Sequence, residues 1–471
     1  MKKLNILFLF ADDMRYDTIG ILGNKEIKTP NLDKIAKSGT SFTNAHIPGG
    51  SIAAVCMPSR AMLNTGRSLF KLKDSGSYIP ENHALLGETL KNAGYRTFGT
   101  GKWHNGYRAY ARSFTDGGDI FFGGMYDHWK VPVYDYDDTG DYVHVLNDVM
   151  NPSYNNTMVP VRSNHVHWGK HSTDIFADLS CQWLESYDDD KPFYMYVSYM
   201  APHDPRTVPQ EFFDMYNMDK ISVPENFLSE HPFDFGIRQV RDETLEQYPR
   251  RESEIKRHIR DYYAMISHLD ASIGRIIDSL IKSGKYEDTI IIFSSDNGLA
   301  IGQHGLMGKQ NCYEHSIKVP LIFTGPCIPS NEIRDTFVYL MDIFPTLCET
   351  VGIETPETVE GISMKKAFSS KDAVVRDELF LAYKDKIRGI KNNKYKLLIY
   401  KYKTQKTVQL FDIENDPYEI KNLAGLEEYE DIQKELMDKT KAYADDWGDI
   451  ELETGVRFWK DEYIVGPCAR E

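Results

Sequence analysis

The residues with the clearest chemical potential lie in one string, CMPSRAMLNTGR, which runs from Cys56 to Arg67. Pro58 suits the first turn of a helix, and Gly66 ends the segment after about two turns, as helix ends often do. Arg60 carries a planar guanidinium that can bind an anion. The spacing predicts a cysteine nucleophile at a helix N-terminus, where free N–H groups and the helix dipole favour negative charge. The alternative is an ordinary capped helix with a buried cysteine, because free cysteines mostly fill cores.

Four oxygen-bearing residues follow two predicted strands. Asp12 and Asp13 come directly after an apolar run, and Asp296 and Asn297 follow a second run at residues 289–293. In an open α/β sheet ligands bind outside the carboxyl ends of the strands, so the two pairs meet if their strands are neighbours. Three carboxylates and an amide oxygen suit Ca²⁺ or Mg²⁺, whereas Zn²⁺ prefers His and Cys. Asp and Asn are also ordinary loop residues, but these four groups would repel one another without a cation.

Three further strings carry groups that can bind an anion or move a proton. GKWH holds Lys102 and His104, which lie two residues apart and can face one side of an extended segment. In APHDP, prolines on both sides of His203 restrict its backbone, and histidine titrates near neutrality. GQHGLMGK holds His304 and Lys309 among glycines that permit tight turns near a ligand. Taken alone, these strings are also typical of a surface lysine, a half-buried histidine and a rigid loop.

Together these strings resemble the sulfatase family of the alkaline-phosphatase-like superfamily. The family signature is matched by Cys-x-Pro-Ser-Arg ending in Thr-Gly-Arg, and the other strings follow in family order, so the resemblance covers nearly the whole chain. It implies that Cys56 is oxidised to Cα-formylglycine by a formylglycine-generating enzyme or a radical-type maturase, and that the hydrate of this aldehyde attacks a sulfate ester. It also implies one divalent cation, usually Ca²⁺ with Mg²⁺ as the alternative, held by residues matching Asp12, Asp13, Asp296 and Asn297.

The resemblance also implies roles for the remaining residues. Lys102 contacts the sulfate or the aldehyde-derived group, and His104 removes a proton from the second hydroxyl of the hydrate, which expels sulfate and restores the aldehyde. The leaving oxygen receives its proton from His203, which also binds the sulfate, or from Lys309. His304 either touches the substrate or supports its loop. The catalytic set is Cys56, Arg60, Lys102, His104, His203 and Lys309.

Alternatives to a sulfuric ester hydrolase acting on carbohydrates stay open. An arylsulfatase would act on aryl or steroid sulfates, and a phosphatase or phosphodiesterase of the same superfamily would act on phosphate. Two-zinc phosphate enzymes carry Ser or Thr as nucleophile, so Cys56 favours sulfate. A non-catalytic protein that binds sulfated glycans would keep Cys56 as a thiol, but the intact lysines and histidines argue against this. A thiol phosphatase is excluded because Cys56 and Arg60 are too close for a Cys-x5-Arg loop.

The segment from residue 103 to 168 is irregular and rich in aromatic residues, as loops that carry specificity on α/β scaffolds can be. Its rings either stack on a sugar or aryl group or pack over a flank of the core. Long, heavily sulfated chains need a continuous basic surface on the protein that binds them, and the net charge of −15 disfavours such a surface. A singly sulfated sugar is therefore the expected substrate. The candidate substrate-binding residues are Arg108, Trp129, Trp168 and His304, with Arg112 and Arg162 as further candidates.

The chain of 471 residues is long enough for a large domain and a smaller one. Its acidity makes nucleic acid and anionic membranes poor partners, and no run approaches the ~20 apolar residues of a membrane span.

The six cysteines lack C-x-x-C spacing, so most are expected to be buried thiols in a reducing compartment. The short apolar run after Met1 contains Asn5 and precedes Asp12, unlike a signal peptide. We expect a cytoplasmic protein, or a periplasmic or secreted one if a leader has been removed.

Strands alternate with helices through most of the chain, which predicts an α/β fold with a large mixed sheet flanked by helices. Continuous apolar runs at 4–10 and 193–199 suit strands buried on both faces, and apolar residues every three or four positions predict a long helix at 252–282. Short strand-like segments near the C-terminus, followed by a charged helix at 427–443, predict a smaller α+β subdomain with an antiparallel sheet. The predicted division is a catalytic domain at residues 1–375 and this subdomain at 376–471.

Overall fold

The computed structural model describes residues 3–149 and 157–460. The strands in these ranges are β1 (Asn5–Ala11), β2 (Gly39–Phe42), β3 (Ala45–His46), β4 (Gly49–Gly50), β5 (Arg96–Lys102), β6 (Asp116–Phe121), β7 (Lys130–Val133), β8 (Val145–Val149), β9 (Met158–Arg162), β10 (His165–Trp168), β11 (Phe193–Ser198), β12 (Thr289–Ser295), β13 (Leu321–Thr324), β14 (Glu332–Arg334), β15 (Val338–Tyr339), β16 (Leu379–Tyr383), β17 (Ile387–Lys391), β18 (Tyr395–Tyr402) and β19 (Gln405–Asp412).

The α-helices in the same ranges are α1 (Pro30–Lys37), α2 (Cys56–Thr65), α3 (Leu86–Asn92), α4 (Tyr107–Ser113), α5 (Ser172–Ser186), α6 (Gln210–Phe213), α7 (Glu252–Lys282), α8 (Glu314–Ile317), α9 (Ile343–Val351), α10 (Lys365–Ser369), α11 (Glu430–Asp446) and α12 (Glu453–Trp459). Short 3₁₀ helices lie at Gly20–Leu22, Leu69–Lys71, Lys73–Gly76, Met218–Lys220, Arg241–Leu245, Tyr286–Asp288, Leu340–Asp342, Glu427–Tyr429 and Asp449–Glu451.

The larger sheet has eight strands within the described ranges, in the order β14-β2-β13-β12-β1-β11-β5-β6. β1 lies inside the sheet and pairs in parallel with β12 on one side and β11 on the other. β5 and β6 extend the parallel part, whereas β13 is antiparallel to β12 and β2. The sheet is therefore mixed, as predicted. Every residue of β1, β11 and β12 is buried, which explains their continuous apolar sequences.

Hydrophobic cores lie on both faces of this sheet. Alternate residues of β1 belong to different cores: Ile6 and Phe8 pack on one face, and Leu7 and Leu9 pack on the other. The predicted long helix, α7, lies on the second face and packs against α1 and α5. Helices α2, α3 and α9 contribute buried residues to the first face. Helices therefore flank the sheet on both sides.

The predicted antiparallel sheet near the C-terminus is present and recruits one further strand. Its order is β19-β18-β17-β16-β4, with β16 to β19 antiparallel to one another. β4, the short strand Gly49–Gly50, pairs in parallel with β16. This strand comes shortly before Cys56, so the C-terminal sheet continues into the segment that leads to the chemical string. Helix α11 packs on β17 and begins at Glu430, three residues after the predicted start.

Most of the cysteines in the described residues are buried free thiols, as expected. Cys56, Cys312 and Cys348 are buried and free, whereas Cys181 is half-buried and Cys327 is exposed. The exposed Cys327 lies in the loop after β13. Cys468 and Met1 lie outside the described residues. Within residues 3–149 and 157–460, no helix combines the length and the apolar character needed to span a bilayer.

Candidate active site

The two predicted pairs of oxygen ligands lie side by side because their strands are neighbours. β1 and β12 run in parallel, and Ala11 pairs with Ser295 at the end of the register. Asp12 and Asp296 follow these residues directly, and an oxygen of Asp296 accepts a hydrogen bond from the backbone N–H of Asp13 at 3.0 Å. Asp13 has a φ of 64°. Such a left-handed backbone is uncommon outside glycine and tends to cluster at functional sites.

The structure brings all predicted catalytic and metal-binding residues to this edge of the sheet. We call them the strand-end cluster, which consists of Asp12, Asp13, Cys56, Arg60, Lys102, His104, His203, Asp296, Asn297 and Lys309.

Two lysines of the strand-end cluster bind its aspartates. Lys102, at the end of β5, donates a hydrogen bond to Asp12, and its Nζ lies 3.7 Å from Cys56 Sγ. Lys309 Nζ lies 2.6 Å and 2.8 Å from the two carboxylate oxygens of Asp13. Burial alone would lower the pKa of Lys309, but Asp13 and other nearby anionic groups hold this pKa well above its usual range. Lys309 is therefore a charged ammonium group, and both lysines are buried beside position 56.

Cys56 lies at the first turn of α2, as the sequence predicts, and Gly66 caps the other end in a left-handed conformation. Its Sγ lies 3.6 Å from His104 Nδ1. The sulfur and one carboxylate oxygen each from Asp12 and Asp296 all lie within 4.8 Å of one another. Burial raises the pKa of the Cys56 thiol, against the lowering effect of the lysines. An unmodified Cys56 is therefore a neutral thiol, which is a weak nucleophile.

Two of the three guanidinium nitrogens of Arg60 are hydrogen-bonded within the fold. Its Nε donates to Asp296 at 2.8 Å, and its Nη1 donates to the carbonyl of Lys102 at 3.0 Å and to Ser198 Oγ at 2.6 Å. The side chain is fully buried. Its Nη2 is buried without a hydrogen-bond partner in the described part of the chain and lies 3.8 Å from Asp12 Oδ1. Arg60 therefore positions Asp296 and the end of β5, and it keeps one N–H group of the guanidinium unpaired beside the cluster.

The two histidines of the cluster have different surroundings. His104 has a φ of 70°, and burial next to Lys102 lowers its pKa well below the usual range, which makes it a neutral base. His203 Nε2 lies 3.6 Å from Asp13 Oδ2, and its Nδ1 lies 2.8 Å from the carbonyl oxygen of Asp204. With Nδ1 as the donor to that carbonyl, Nε2 is the nitrogen that faces the cluster.

The residues present fit a divalent cation. Oδ1 of Asp12 and Oδ1 of Asn297 are buried and have no hydrogen-bond partner in the described part of the chain. The Asn297 amide nitrogen donates to Asp13 at 2.7 Å, which leaves its oxygen free to act as a ligand. Burial and the neighbouring Asp296 raise the pKa of Asp12. A hard cation would supply the missing partner for both oxygens and stabilise the ionised carboxylates, and an all-oxygen set suits Ca²⁺ or Mg²⁺.

The predicted substrate-binding residues do not form one group. His304 stacks on Tyr313 with ring centroids 4.0 Å apart and lies 3.1 Å from the Asn226 amide; neither partner belongs to the strand-end cluster. Burial lowers the pKa of His304 to about 3. Arg108 is exposed and lines a surface cavity with Tyr78. These contacts favour a loop-supporting role for His304.

Strands β7 and β10 pair as a two-stranded β7–β10 ribbon. Trp168 is the last residue of β10, and Trp129 lies in the turn just before β7. Trp168 is 61% exposed, and Lys130 Nζ lies 4.3 Å from its ring centroid. The Trp129 ring packs edge-on against His171 at 5.3 Å, and the backbone of Trp129 accepts a hydrogen bond from Gly169. Of the further candidates, Arg112 is bound to Glu88 and Arg162 is exposed on β9.

Most aromatic rings of the segment 103–168 pack against one another. Tyr107, Tyr110, Phe122, Tyr134 and Tyr142 belong to or line one hydrophobic core, with ring centroids of neighbouring pairs such as Tyr107 and Phe122 only 4.5 Å apart. For these five, the structure favours the packing interpretation over stacking on a ligand.

Sequence reasoning missed two residues that hold the cluster in place. His128 is buried, and its Nε2 lies 2.9 Å from the carbonyl oxygen of His203. Ser198 ends β11 and accepts the hydrogen bond from Arg60. Position at the carboxyl end of a central strand could have indicated Ser198. Nothing local in the sequence indicates His128, because its partner is 75 residues away.

Comparison with known proteins agrees with the geometry. A family model described as "Sulfatase" matches residues 4–353. A second model, described as "N-sulphoglucosamine sulphohydrolase, C-terminal", matches residues 302–446.

Relatives and solved structures match over nearly the full length. The chain is 28% identical to an ulvan-active sulfatase of Formosa agariphila over 98% of this chain and 85% of that protein. It is 27% identical to an N-acetylglucosamine-6-O-sulfatase of Bacteroides thetaiotaomicron over 93% of this chain and 85% of that protein.

A structure solved with its substrate D-glucosamine-2-N,6-O-disulfate shares the fold at 24% identity and a TM-score of 0.71, over 95% of this chain and 99% of that one. A phosphonate monoester hydrolase of Agrobacterium radiobacter shares it at 20% identity and a TM-score of 0.73, over 94% and 96%.

Proposed function

This chain belongs to the sulfatase family and is a sulfuric ester hydrolase, and from that premise we propose that it cleaves a sulfate monoester carried by a carbohydrate. We further propose that it does so with a Cα-formylglycine at position 56 and one divalent cation, Ca²⁺ or else Mg²⁺. The observation that carries the proposal is the position of Cys56. Its Sγ lies 3.7 Å from Lys102 Nζ and 3.6 Å from His104 Nδ1, beside carboxylates with an unpaired oxygen.

The charges of the cluster are matched to an anionic substrate. Three aspartates face three cationic side chains, namely Arg60, Lys102 and Lys309, so the group is neutral as a whole. A divalent cation held by the aspartate oxygens would add two positive charges and would leave the two lysines free to contact a sulfate oxygen. A net positive, water-poor site stabilises the charge that develops on a transferred sulfuryl group.

The formylglycine hydrate supplies the nucleophilic oxygen, and the other chemical tasks fall to side chains already in place. Lys102 and Lys309 bind the sulfate oxygens and orient the sulfur in line with position 56. His203 directs Nε2 into the cluster and can hold a proton for the leaving alcohol, a role it shares with Lys309. His104, kept neutral by burial beside Lys102, accepts a proton next to position 56.

A carbohydrate is the proposed carrier of the sulfate because the named sulfatases most similar to this chain include ones for ulvan and for N-acetylglucosamine 6-O-sulfate. The exposed Trp168 on the β7–β10 ribbon offers a flat ring of the kind on which a sugar face can stack. The acidic chain favours short or singly sulfated sugars over polyanionic chains.

The substrate proposal is tested with a panel of mono-sulfated monosaccharides and aryl sulfates at saturating Ca²⁺, with released sulfate as the readout. We expect at least one sugar sulfate to be cleaved with a kcat/KM about 10-fold or more above that of 4-nitrophenyl sulfate. The Cys56→Ala variant serves as the blank for each substrate. Turnover of aryl sulfates alone would replace the carbohydrate proposal with an arylsulfatase.

The proposed conversion of Cys56 to formylglycine is tested separately. Mass spectrometry of the peptide that contains position 56 gives the aldehyde fraction of each preparation, and co-expression with a formylglycine-generating enzyme or a radical-type maturase varies that fraction. We expect the hydrolysis rate to rise in proportion to it. Full turnover by a sample that contains only the thiol would refute formylglycine as the nucleophile.

Phosphoryl chemistry is the second candidate, and the phosphonate monoester hydrolase with the same fold favours testing it. One 4-nitrophenyl leaving group carried on sulfate, phosphate and a phosphonate monoester separates the reactions without a change in the leaving group. We expect the sulfate ester to be the preferred substrate of the three. A higher kcat/KM for a phosphorus ester would assign this chain to that chemistry.

A further inference from the structure

A second group of potential metal ligands lies outside the strand-end cluster. His167 Nε2 lies 2.6 Å from Asp119 Oδ1, and His165 Nε2 lies 3.4 Å from the same oxygen. One ligand atom from each residue lies within 4.8 Å of the other two. All three side chains are partly exposed, with relative exposures between 16% and 40%, so a solvated ion can reach them.

The fold aims these three side chains at one point. His165 and His167 lie two residues apart on β10, so both project from the same face of the strand. Asp119 is the extra residue of a bulge in β6, because Gly118 pairs with Thr100 and Ile120 pairs with Gly101. The φ of Asp119 is 46°, in the left-handed region. A bulge re-aims the side chain of its extra residue, and bulges often accompany functional sites.

The second ring nitrogen of His165 also has a partner of the kind that metal-bound histidines use. His165 Nδ1 lies 3.7 Å from a carboxylate oxygen of Asp135. A histidine that ligates a metal through Nε2 commonly directs its other N–H at a carboxylate, which fixes the ring and raises its basicity. Two imidazoles therefore point Nε2 at one carboxylate oxygen, and one of them is backed by a second carboxylate.

We propose that Asp119, His165 and His167 form a second metal site, selective for Zn²⁺ or a similar transition-metal ion over Ca²⁺. Two imidazole nitrogens and one carboxylate are a donor set for such ions, whereas Ca²⁺ and Mg²⁺ require oxygen ligands. Zn–N and Zn–O bonds of about 2.0–2.1 Å place tetrahedral ligand atoms about 3.3 Å apart. The His165–Asp119 separation of 3.4 Å is close to this value, whereas the His167–Asp119 separation of 2.6 Å must widen when an ion binds. Water would complete the coordination.

An ion bound by these residues would link the β7–β10 ribbon to β6, at the edge of the eight-stranded sheet. β6 is the last strand at that edge, and β10 pairs only with β7 in the described part of the chain. Ile120, next to Asp119, bridges to Tyr134, just beyond β7. The ribbon carries Trp168, so a bound ion would also fix the position of that exposed ring. The competing explanation is a metal-free hydrogen-bonded group in which one histidine donates to Asp119.

Calorimetric titration of the full chain with ZnCl₂ tests the proposal. The protein is first stripped of metal and then held in excess Ca²⁺, so that the oxygen ligands of the strand-end cluster are occupied. We expect the wild type to bind one Zn²⁺ more than the double variant His165→Gln/His167→Gln. The matched control is His144→Gln, since His144 is an exposed histidine of the same segment 103–168. Among the contacts described, its imidazole contacts only the carbonyl of Ser163. The control variant should keep the wild-type stoichiometry.

Two further variants keep the test decisive if the double variant does not fold. Asp119→Asn preserves the shape of the side chain and removes its charge, and it should abolish the extra Zn²⁺ site. Asp135→Asn should weaken Zn²⁺ binding about 10-fold, because it removes only the outer partner of His165. Co²⁺ bound to the wild type should give a visible spectrum of tetrahedral type that Asp119→Asn lacks. Equal Zn²⁺ stoichiometry and affinity in the wild type and Asp119→Asn would overturn the proposal in favour of the hydrogen-bonded group.

Discussion

The strand-end cluster and a second group of buried charges differ in how completely they are paired. The second group, which we call the C-terminal ion-pair cluster, consists of His46, Glu314, Lys391, Lys396 and Glu419. Glu314 binds Lys391 at 2.7 Å and Lys396 at 3.1 Å, and Lys396 also binds Glu419 at 2.7 Å. In the strand-end cluster, by contrast, Oδ1 of Asp12 and Oδ1 of Asn297 are buried and accept no hydrogen bond from the described residues, and Arg60 Nη2 lies 3.8 Å from the Asp12 oxygen.

The charges of the C-terminal ion-pair cluster stabilise the fold, whereas those of the strand-end cluster are available to a ligand. The C-terminal ion-pair cluster joins residues of β3, α8, β17 and β18, so it fastens the C-terminal sheet to the rest of the molecule. A buried charge that serves only the fold must be paired, since an unpaired one is strongly destabilising. Unpaired buried acceptors in the strand-end cluster indicate that a group outside the protein completes them.

The largest expected effect is loss of catalysis without loss of stability. Cys56→Ala should lower the hydrolysis rate on the order of 10⁴-fold, because it removes the site of the nucleophile. Its unfolding midpoint in urea should stay close to that of the wild type, since Cys56 holds no other part of the fold through a strong bond. Residual activity within a factor of ten of the wild type would place the nucleophile elsewhere.

In the C-terminal ion-pair cluster we expect a substitution to reduce the stability of the fold. Lys396→Met leaves the carboxylates of Glu314 and Glu419 short of a partner in a buried setting, which should cost about 3–5 kcal/mol of unfolding free energy in urea titrations. The control is Lys439→Met, which breaks the ion pairs of the 40%-exposed Lys439 with Glu378 and Glu435 and should cost less than about 1 kcal/mol. The comparison between the two clusters fails if both variants lose the same stability.

The unpaired oxygens of the strand-end cluster predict a metal requirement. A chelator should abolish activity, and added Ca²⁺ should restore it more effectively than Mg²⁺. Asn297→Ala removes the buried Oδ1 and should raise the Ca²⁺ concentration for half-maximal recovery about 10-fold, because one ligand is lost. Activity that survives exhaustive chelation would show that these oxygens do not serve a cation.

A smaller effect is expected in the pH dependence of stability. Burial next to Lys391 lowers the pKa of His46 to about 3, below the value of about 6.5 in an unfolded chain. Between these values only the unfolded state binds the proton, so this histidine makes the protein less stable as pH falls from about 6.5 towards 3. His46→Gln should reduce the loss of unfolding free energy between pH 6 and pH 5 by about 1 kcal/mol. Parallel curves for variant and wild type would exclude this contribution.

Much of the fold and of the site could be predicted because the signals are local. The apolar runs of β1 and β12 have no polar alternation since both faces of these strands are buried, and α7 shows its buried stripe at a helical period. The string from Cys56 to Gly66 specifies its own helix start and stop. The sequence could not show that Gly49 and Gly50 join the C-terminal sheet, because that pairing is made through backbone atoms over a long separation.

The sequence by itself determined which residues have the chemistry for this reaction: the nucleophile position, the oxygen ligands, and the lysines and histidines. Only the tertiary structure decided how they are used. It made β1 and β12 neighbours, bound Arg60 Nε to Asp296, and packed most of the aromatic rings of the segment 103–168 into the core while it left Trp168 exposed. The physical reason is that residue type and spacing encode local conformation, whereas pairing between strands and between buried charges is settled by which distant surfaces pack together and exclude water.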